Sequence, residues 1–179
     1  MAGAAANMMN EMEAGWRRRL AAGFVAGCAL WAAAASVVVW PNALCYFNGL
    51  WGGTAQGYKL LSDSNYDWGQ GLRELGEWQN RNRIENLDVW YFGSDPERSK
   101  GPFHLVSMIG EGFQGPDDFI ARFRGRYLAV SMTNLYGGYY IENPKKGHPV
   151  EESILIAIRC LRARQPIART STFLIYEFD

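Results

Sequence analysis

The sequence predicts an α/β protein: a single N-terminal transmembrane helix, then a small extracytoplasmic domain with a mixed or largely parallel sheet and flanking helices. Three observations carry this. No residue from Leu20 to Trp40 is charged. Three arginines, Arg17 to Arg19, precede that run, and no charge follows it until Lys59. Beyond it, β-branched and aromatic runs alternate with patterns of helical period, the signature of an α/β sheet.

Four segments follow in order. Residues 1–19 form a cytoplasmic tail. Residues 20–40 form the transmembrane helix, which at about 1.5 Å per residue is roughly 31 Å long, close to the hydrocarbon thickness of a bilayer. The arginines before it hold the N-terminus in the cytoplasm by the positive-inside rule, and Trp16 and Trp40 stand where interfacial aromatics belong. A cleaved signal peptide has the same charge order, but its apolar core is usually about 7–15 residues. Gly23 and Gly27 form a GxxxG pair suited to packing on another helix. Residues 41–57, "PNALCYFNGLWGGTAQG", begin at a helix breaker and carry Tyr46, Phe47 and Trp51, as a segment at the membrane surface would.

Residues 58–179 make the α/β domain. "YKLLS", Tyr58 to Ser62, reads as a short strand. A helix from about Trp68 to Asn82 follows, with Leu72, Leu75 and Trp78 on one face and Asp67 or Ser64 as its cap. "LDVWYFG", Leu87 to Gly93, is a buried strand, and a weaker one lies in "FHLVSMI". "PDDFIARF" forms a short helix with Pro116 or Asp117 near its start. "RYLAVSMTNLYG", Arg126 to Gly137, is a strand. Glu151 to Arg164 is a helix, acidic first and basic last as the macrodipole prefers. "TFLIYEF", Thr172 to Phe178, closes the domain as an alternating strand.

Composition excludes some functions. Lysine plus arginine equals aspartate plus glutamate at 18 each, and no basic stripe interleaves with aromatics, so no nucleic acid is expected as a partner. The three cysteines form no CxxC or His/Cys cluster; a Cys45–Cys160 bridge is conceivable outside the cytoplasm, with two thiols the blander alternative. "GLWGG" and "YGGYY" match no phosphate-binding loop, and Ser64 and Ser131 lack a nucleophile elbow. No cofactor and no metal are expected, and His104 and His148 stand apart as structural or surface residues.

The stretch "LSDSNYDWGQGLREL", Leu61 to Leu75, concentrates the candidate chemistry. Asp63, Asn65, Asp67 and Glu74 fall at positions one, three, five and twelve of a calcium loop. Trp68 then occupies the place where such a loop turns on glycine, so an EF-hand does not fit. As a cluster, Asp63, Asn65, Asp67, Trp68 and Gln70 supply carboxylates, amides and a flat ring, groups that hold a carbohydrate or polar head group. The loop also precedes a helix and follows a strand, the position where open α/β sheets bind ligands. Asp95 and Glu97 could join Asp63 and Asp67 as paired carboxylates for glycoside hydrolysis.

The residues from Pro41 to Asp179 resemble, in order, the C-terminal region of a family of membrane enzymes. "YFNGLWGGTAQGYKLLSDSNYDWGQGLRELGEW", "YFGSDPE", "YLAVSMTNLYG" and "RQPIARTSTFLIYEFD" are similar to segments after the last membrane helix of family 39-like, mannosyltransferase-like glycosyltransferases of the GT-C class. The core at Asp63–Gln70 is the most specific part; Gly71 departs from it, since an acidic residue is usual there. The resemblance implies a polytopic enzyme that takes a sugar from a polyprenyl-phosphate carrier on the outer membrane face. It implies that this chain is the C-terminal portion, without the catalytic loop, so no catalytic residue is carried over. The implied partners are the bilayer, a multi-helix catalytic module and a polyprenyl-phosphate-linked sugar. The implied location is the plasma (inner) membrane, single-pass, N-terminus cytoplasmic and the domain periplasmic or extracellular. The residues alone also allow a standalone carbohydrate-binding or hydrolytic domain, or a purely structural accessory domain.

Overall fold

The computed structural model describes residues 2–40, 43–49, 52–60, 70–94, 101–137 and 152–179. The chain divides into two compact units, Met1–Pro41 and Asn42–Asp179.

The first unit is one helix, α1 (Ala2–Val38). Its stretch Gly15–Val38 is apolar and long enough to cross a bilayer by length and composition, criteria that a signal sequence also meets. None of that stretch is buried by the protein: Leu20, Phe24, Val25, Leu30, Trp31 and Val37 all face outward. Such a helix is compatible with a single membrane span or with a signal sequence.

The second unit is an α/β sandwich of three layers. Its elements are α2 (Gly53–Gln56), α3 (Leu72–Asn82), β1 (Leu87–Trp90), β2 (His104–Leu105), α4 (Pro116–Phe123), β3 (Arg126–Ser131), α5 (Met132–Tyr136), α6 (Glu152–Ala163), β4 (Ala168–Arg169) and β5 (Phe173–Phe178). Short 3-10 turns at Ala43–Cys45 and Gly57–Lys59 precede α3. The five strands lie in the order β2-β1-β3-β5-β4. β1 runs parallel to both β2 and β3, whereas β5 runs antiparallel to β3 and β4, so the sheet is mixed.

Alternation along the strands sends side chains to two cores. Leu87 and Val89, Ala129, and Phe173 and Ile175 meet Leu72 and Leu75 of α3 on one face. Trp90, Leu128, Val130, Leu174, Tyr176 and Phe178 face the other side, where α4, α5 and α6 contribute Phe119, Phe123, Leu135, Ile154, Ala157, Ile158 and Leu161. Burial on both faces explains why these strands read as continuous apolar runs. Phe119 stacks edge-on with Phe113 and Phe178, at ring separations of 5.5 and 5.7 Å, and ties the start of α4 to the end of β5.

Several expected boundaries shift. Tyr58 to Leu60 is not a strand: Gly57–Lys59 forms a 3-10 turn, with Leu60 N–H donating to Gly57 O at 3.0 Å. Tyr58 is buried there, edge-on to Tyr136 at 5.0 Å, and its burial is met by a helix neighbour rather than a strand partner. The helix expected from Trp68 begins at Leu72, with Gly71 at its N-cap and no side-chain cap bond, so neither Asp67 nor Ser64 stands at its cap position. The strand expected from Arg126 to Gly137 ends at Ser131 and becomes α5. Met132 and Leu135, three residues apart, both enter the core, a spacing that a helix satisfies and a strand does not. Cys28, Cys45 and Cys160 form no disulfide.

Candidate functional site at the carboxyl edge of the parallel strands

Of the five residues predicted to contact ligand, Asp63, Asn65, Asp67 and Trp68 lie outside the described residues, as do Asp95, Glu97 and His148. Gln70 is described. It is half-buried, and its Nε2 donates to the buried Cys45 Sγ at 4.0 Å. Among the described residues no strand leads into this loop, yet Gln70 arrives at a strand end by another route. Gly71 packs directly on Thr172, and Thr172 precedes Phe173, the register partner of Ser131 at the end of β3. The entry to α3 therefore sits at the carboxyl edge of β3, where open α/β sheets present their ligand sites.

Gly71 has ordinary right-handed angles, φ −79 and ψ −6, so glycine is not needed there for backbone freedom. It is needed for space. A Cβ would overlap Thr172 Oγ1 and stand 3.0 Å from Thr172 Cβ and 3.3 Å from Phe173 Cε2. Glu74, one turn on, accepts the Ser171 N–H through its carboxylate at 3.1 and 3.2 Å. Those bonds and the Gly71 contact hold the start of α3 against the β4–β5 turn.

The rest of the edge comes from β1 and α5. Asn134 Nδ2 donates to Trp90 O, the last carbonyl of β1, at 3.2 Å. Arg162 of α6 donates through Nε to Leu135 O at 2.8 Å, and its guanidinium lies 4.9 Å from the Tyr136 ring centroid. Among the described residues four side-chain oxygens are buried without a hydrogen-bond partner: Gln79 Oε1 in α3, and Thr133 Oγ1, Asn134 Oδ1 and Thr172 Oγ1 at this edge. Orphaned buried polar atoms are uncommon, and at a strand edge they point to a missing partner.

Burial holds the phenols of this region in their neutral form. It raises Tyr136, with the neighbouring Tyr58 adding to the effect and Arg162 opposing it. It raises Tyr176 further, reinforced by Tyr136 and Tyr58. Burial also pushes the Cys160 thiol up, which disfavours thiolate chemistry. Hydroxyls, amides, neutral phenols and an arginine suit hydrogen bonding and stacking on a polar, hydroxylated ligand. Among the described residues this edge brings together no pair of carboxylates and no nucleophile beside a base, and none form a group of three His, Cys, Asp or Glu able to hold a metal ion.

A second polar cluster escaped the sequence reading. Asp88, only 3 % exposed in β1, accepts from Arg126 Nη1 at 3.1 and 3.3 Å, and its Oδ1 lies 2.7 Å from His104 Nδ1. His104 is thus not isolated; it pins the edge strand β2 to β1. The visible signal was an acid inside the buried run "LDVW", which a buried strand tolerates only with partners.

Comparison of the chain with protein-family models, with curated proteins and with solved structures found no match.

Proposed function

We propose that this chain is a membrane-anchored extracytoplasmic domain like the C-terminal part of family 39-like glycosyltransferases. Its role is to hold a lipid-phosphate-linked sugar, or its acceptor, beside a multi-helix catalytic module. On this reading α1 is retained in the plasma membrane with Arg17, Arg18 and Arg19 in the cytoplasm. One observation carries the proposal. Gln70, last residue of the most specific motif, stands at the carboxyl edge of β3, where Thr133 Oγ1, Asn134 Oδ1 and Thr172 Oγ1 have no hydrogen-bond partner among the described residues. Asp63, Asn65, Asp67 and Trp68 precede it directly in the chain and complete the proposed contact set.

The test is equilibrium binding of a short-chain polyprenyl phosphomannose, with polyprenyl phosphate as the control, to the full chain in nanodiscs. Gln70→Ala and Asn134→Ala should each weaken the sugar-bearing ligand about tenfold, the order of one lost hydrogen bond to a polar ligand. Equal binding of both lipids, or unchanged affinity in both variants, would sink the proposal.

A second reading, a structural accessory domain, draws on Gln70 and Glu74 being engaged within the protein. It predicts that Gln70→Ala lowers thermal stability and leaves lipid-sugar affinity where it was. Turnover of a sugar by the chain alone, abolished by Asp67→Asn, would instead favour a hydrolase.

A further inference from the structure

Residues 44–49 and 52–60 include apolar side chains that the second unit leaves uncovered. Leu44 is 56 % exposed, Tyr46 44 % and Leu60 62 %. They stand on well-held backbone. Cys45, between Leu44 and Tyr46, is buried in the same core cluster as Tyr58. Gly57 lies so close to the Phe47 ring that no Cβ would fit. Arg169 of β4 donates to the carbonyls of Thr54 and Ala55. Large apolar groups fixed outward on a firm segment mark a docking face rather than a frayed loop.

Charge and connectivity say what docks there. No acidic residue occurs between Pro41 and Leu60. Lys59 and Arg169 are exposed, each 5.8 Å from the Tyr58 ring centroid, so two cations lie beside a residue of the same segment as Leu60. The residues linking Val38, at the end of the apolar helix, to Ala43 span at most about 18 Å when extended. A segment on so short a tether stays near whatever surface the helix leaves. Tyrosine beside leucine, with a bordering lysine and arginine, is the composition that settles at the headgroup boundary of a bilayer.

We infer that Leu44, Tyr46 and Leu60 form a bilayer-docking face, with Lys59 and Arg169 engaging anionic lipid phosphates. The inference rests on α1 being a retained membrane span, and it deepens the proposed function. It lays the second unit on the membrane by a defined face, near the lipid-linked head group that Gln70 is proposed to meet.

The test is hydroxyl-radical footprinting of the full chain in nanodiscs of phosphatidylcholine with and without phosphatidylglycerol. Each side chain is normalised to its rate in the denatured chain. Ile109 and Ile167, 61 % and 53 % exposed on the same unit, are the internal controls. Side chains about 5–10 Å into the headgroup boundary are shielded from aqueous radicals, so Leu44, Tyr46 and Leu60 should react about tenfold more slowly than the controls. A photoreactive lipid carbene, used in parallel, should label α1. If the carbene labels α1 while the three residues react as fast as the controls, the docking face is overturned and the span stands. Absence of label on α1 overturns the span and the inference with it. Protection that is the same without phosphatidylglycerol removes Lys59 and Arg169 from the face. Protection that disappears on diluting the chain to one copy per disc assigns the face to a second copy and overturns the bilayer as occupant.

Discussion

Gly71→Ala tests the contact that brings the candidate site to the sheet. The added methyl has two opposed effects. It restricts the unfolded chain, which favours folding by about 0.4–1 kcal/mol when the native angles suit alanine, as φ −79 and ψ −6 do. It also overlaps Thr172 Oγ1 and lies 3.0 Å from Thr172 Cβ. Rotating the threonine moves the hydroxyl but not its Cβ, and Phe173, fully buried alongside, leaves no room to retreat. Overpacking of this kind costs about 1–3 kcal/mol, and the backbone-proximal overlap puts it at the upper end. The net expectation is a loss of about 2 kcal/mol. Thr172→Ala supplies the control. It removes the overlapping atom, a buried hydroxyl without a partner among the described residues, so in its background Gly71→Ala should cost about 1 kcal/mol less. Urea unfolding of the full chain in micelles, followed by near-ultraviolet circular dichroism, reads all four members of the cycle. Wild-type stability for Gly71→Ala, or strict additivity with Thr172→Ala, would refute the reasoning. Gly71→Glu, which adds a longer side chain at the same place, should be worse than alanine; if it is neutral, the packing described for α3 is wrong.

Two further outcomes follow from the polar groups. Asp88→Asn removes the charge that Arg126 and His104 share; because those partners are 45 % and 66 % exposed at the side chain and stay hydrated, the loss should be about 1–2 kcal/mol rather than that of a fully buried pair. Amide exchange should quicken first at Val106, whose N–H donates to Val89 O at 3.0 Å beside the pinned strand. Alkaline unfolding is the other. Tyr127 is raised by its hydrogen bond to Glu177, then by burial, and Tyr136 and Tyr176 chiefly by burial, so the folded state holds these protons more tightly than the unfolded one. Stability from them is complete below about pH 10 and falls as pH climbs through the raised values. Phenolate absorbance should show a late step that coincides with loss of tertiary structure, smaller by one tyrosine in Tyr176→Phe; ionisation of all three ahead of unfolding would contradict their burial.

The fold was legible where a single periodicity ruled a segment. β1, β5, α4 and α6 fall within a few residues of their expected bounds because their apolar patterns are satisfied by burial that any α/β sheet provides. Tyr58 to Leu60 and Met132 to Tyr136 were misread for a shared reason. Both are short apolar runs, and strand and helix differ there only in which neighbour receives the side chains, Tyr136 for Tyr58 and the Leu161 side of the core for Leu135. The candidate site was legible as composition, through the polar cluster ending at Gln70. Its placement was not, because that depends on Gly71 meeting Thr172 across about a hundred residues of chain, and on Glu74 accepting from Ser171.

Gly71 joins these points. Read by motif, it is a departure that weakens a ligand position; read by packing, it is the residue whose missing side chain lets α3 reach the end of β3. The acidic function expected near that place is partly supplied by Glu74, whose carboxylate is spent on the Ser171 N–H. Among the described residues this edge offers a ligand amide and hydroxyl groups, which suit hydrogen bonding to a sugar. On the proposed function, catalysis falls to other groups, and the chain holds the substrate where those groups can act. The consequence is separable by experiment: Asn134→Ala should weaken binding in the isolated chain, and in an assembly with a catalytic module it should raise KM while leaving kcat close to wild type.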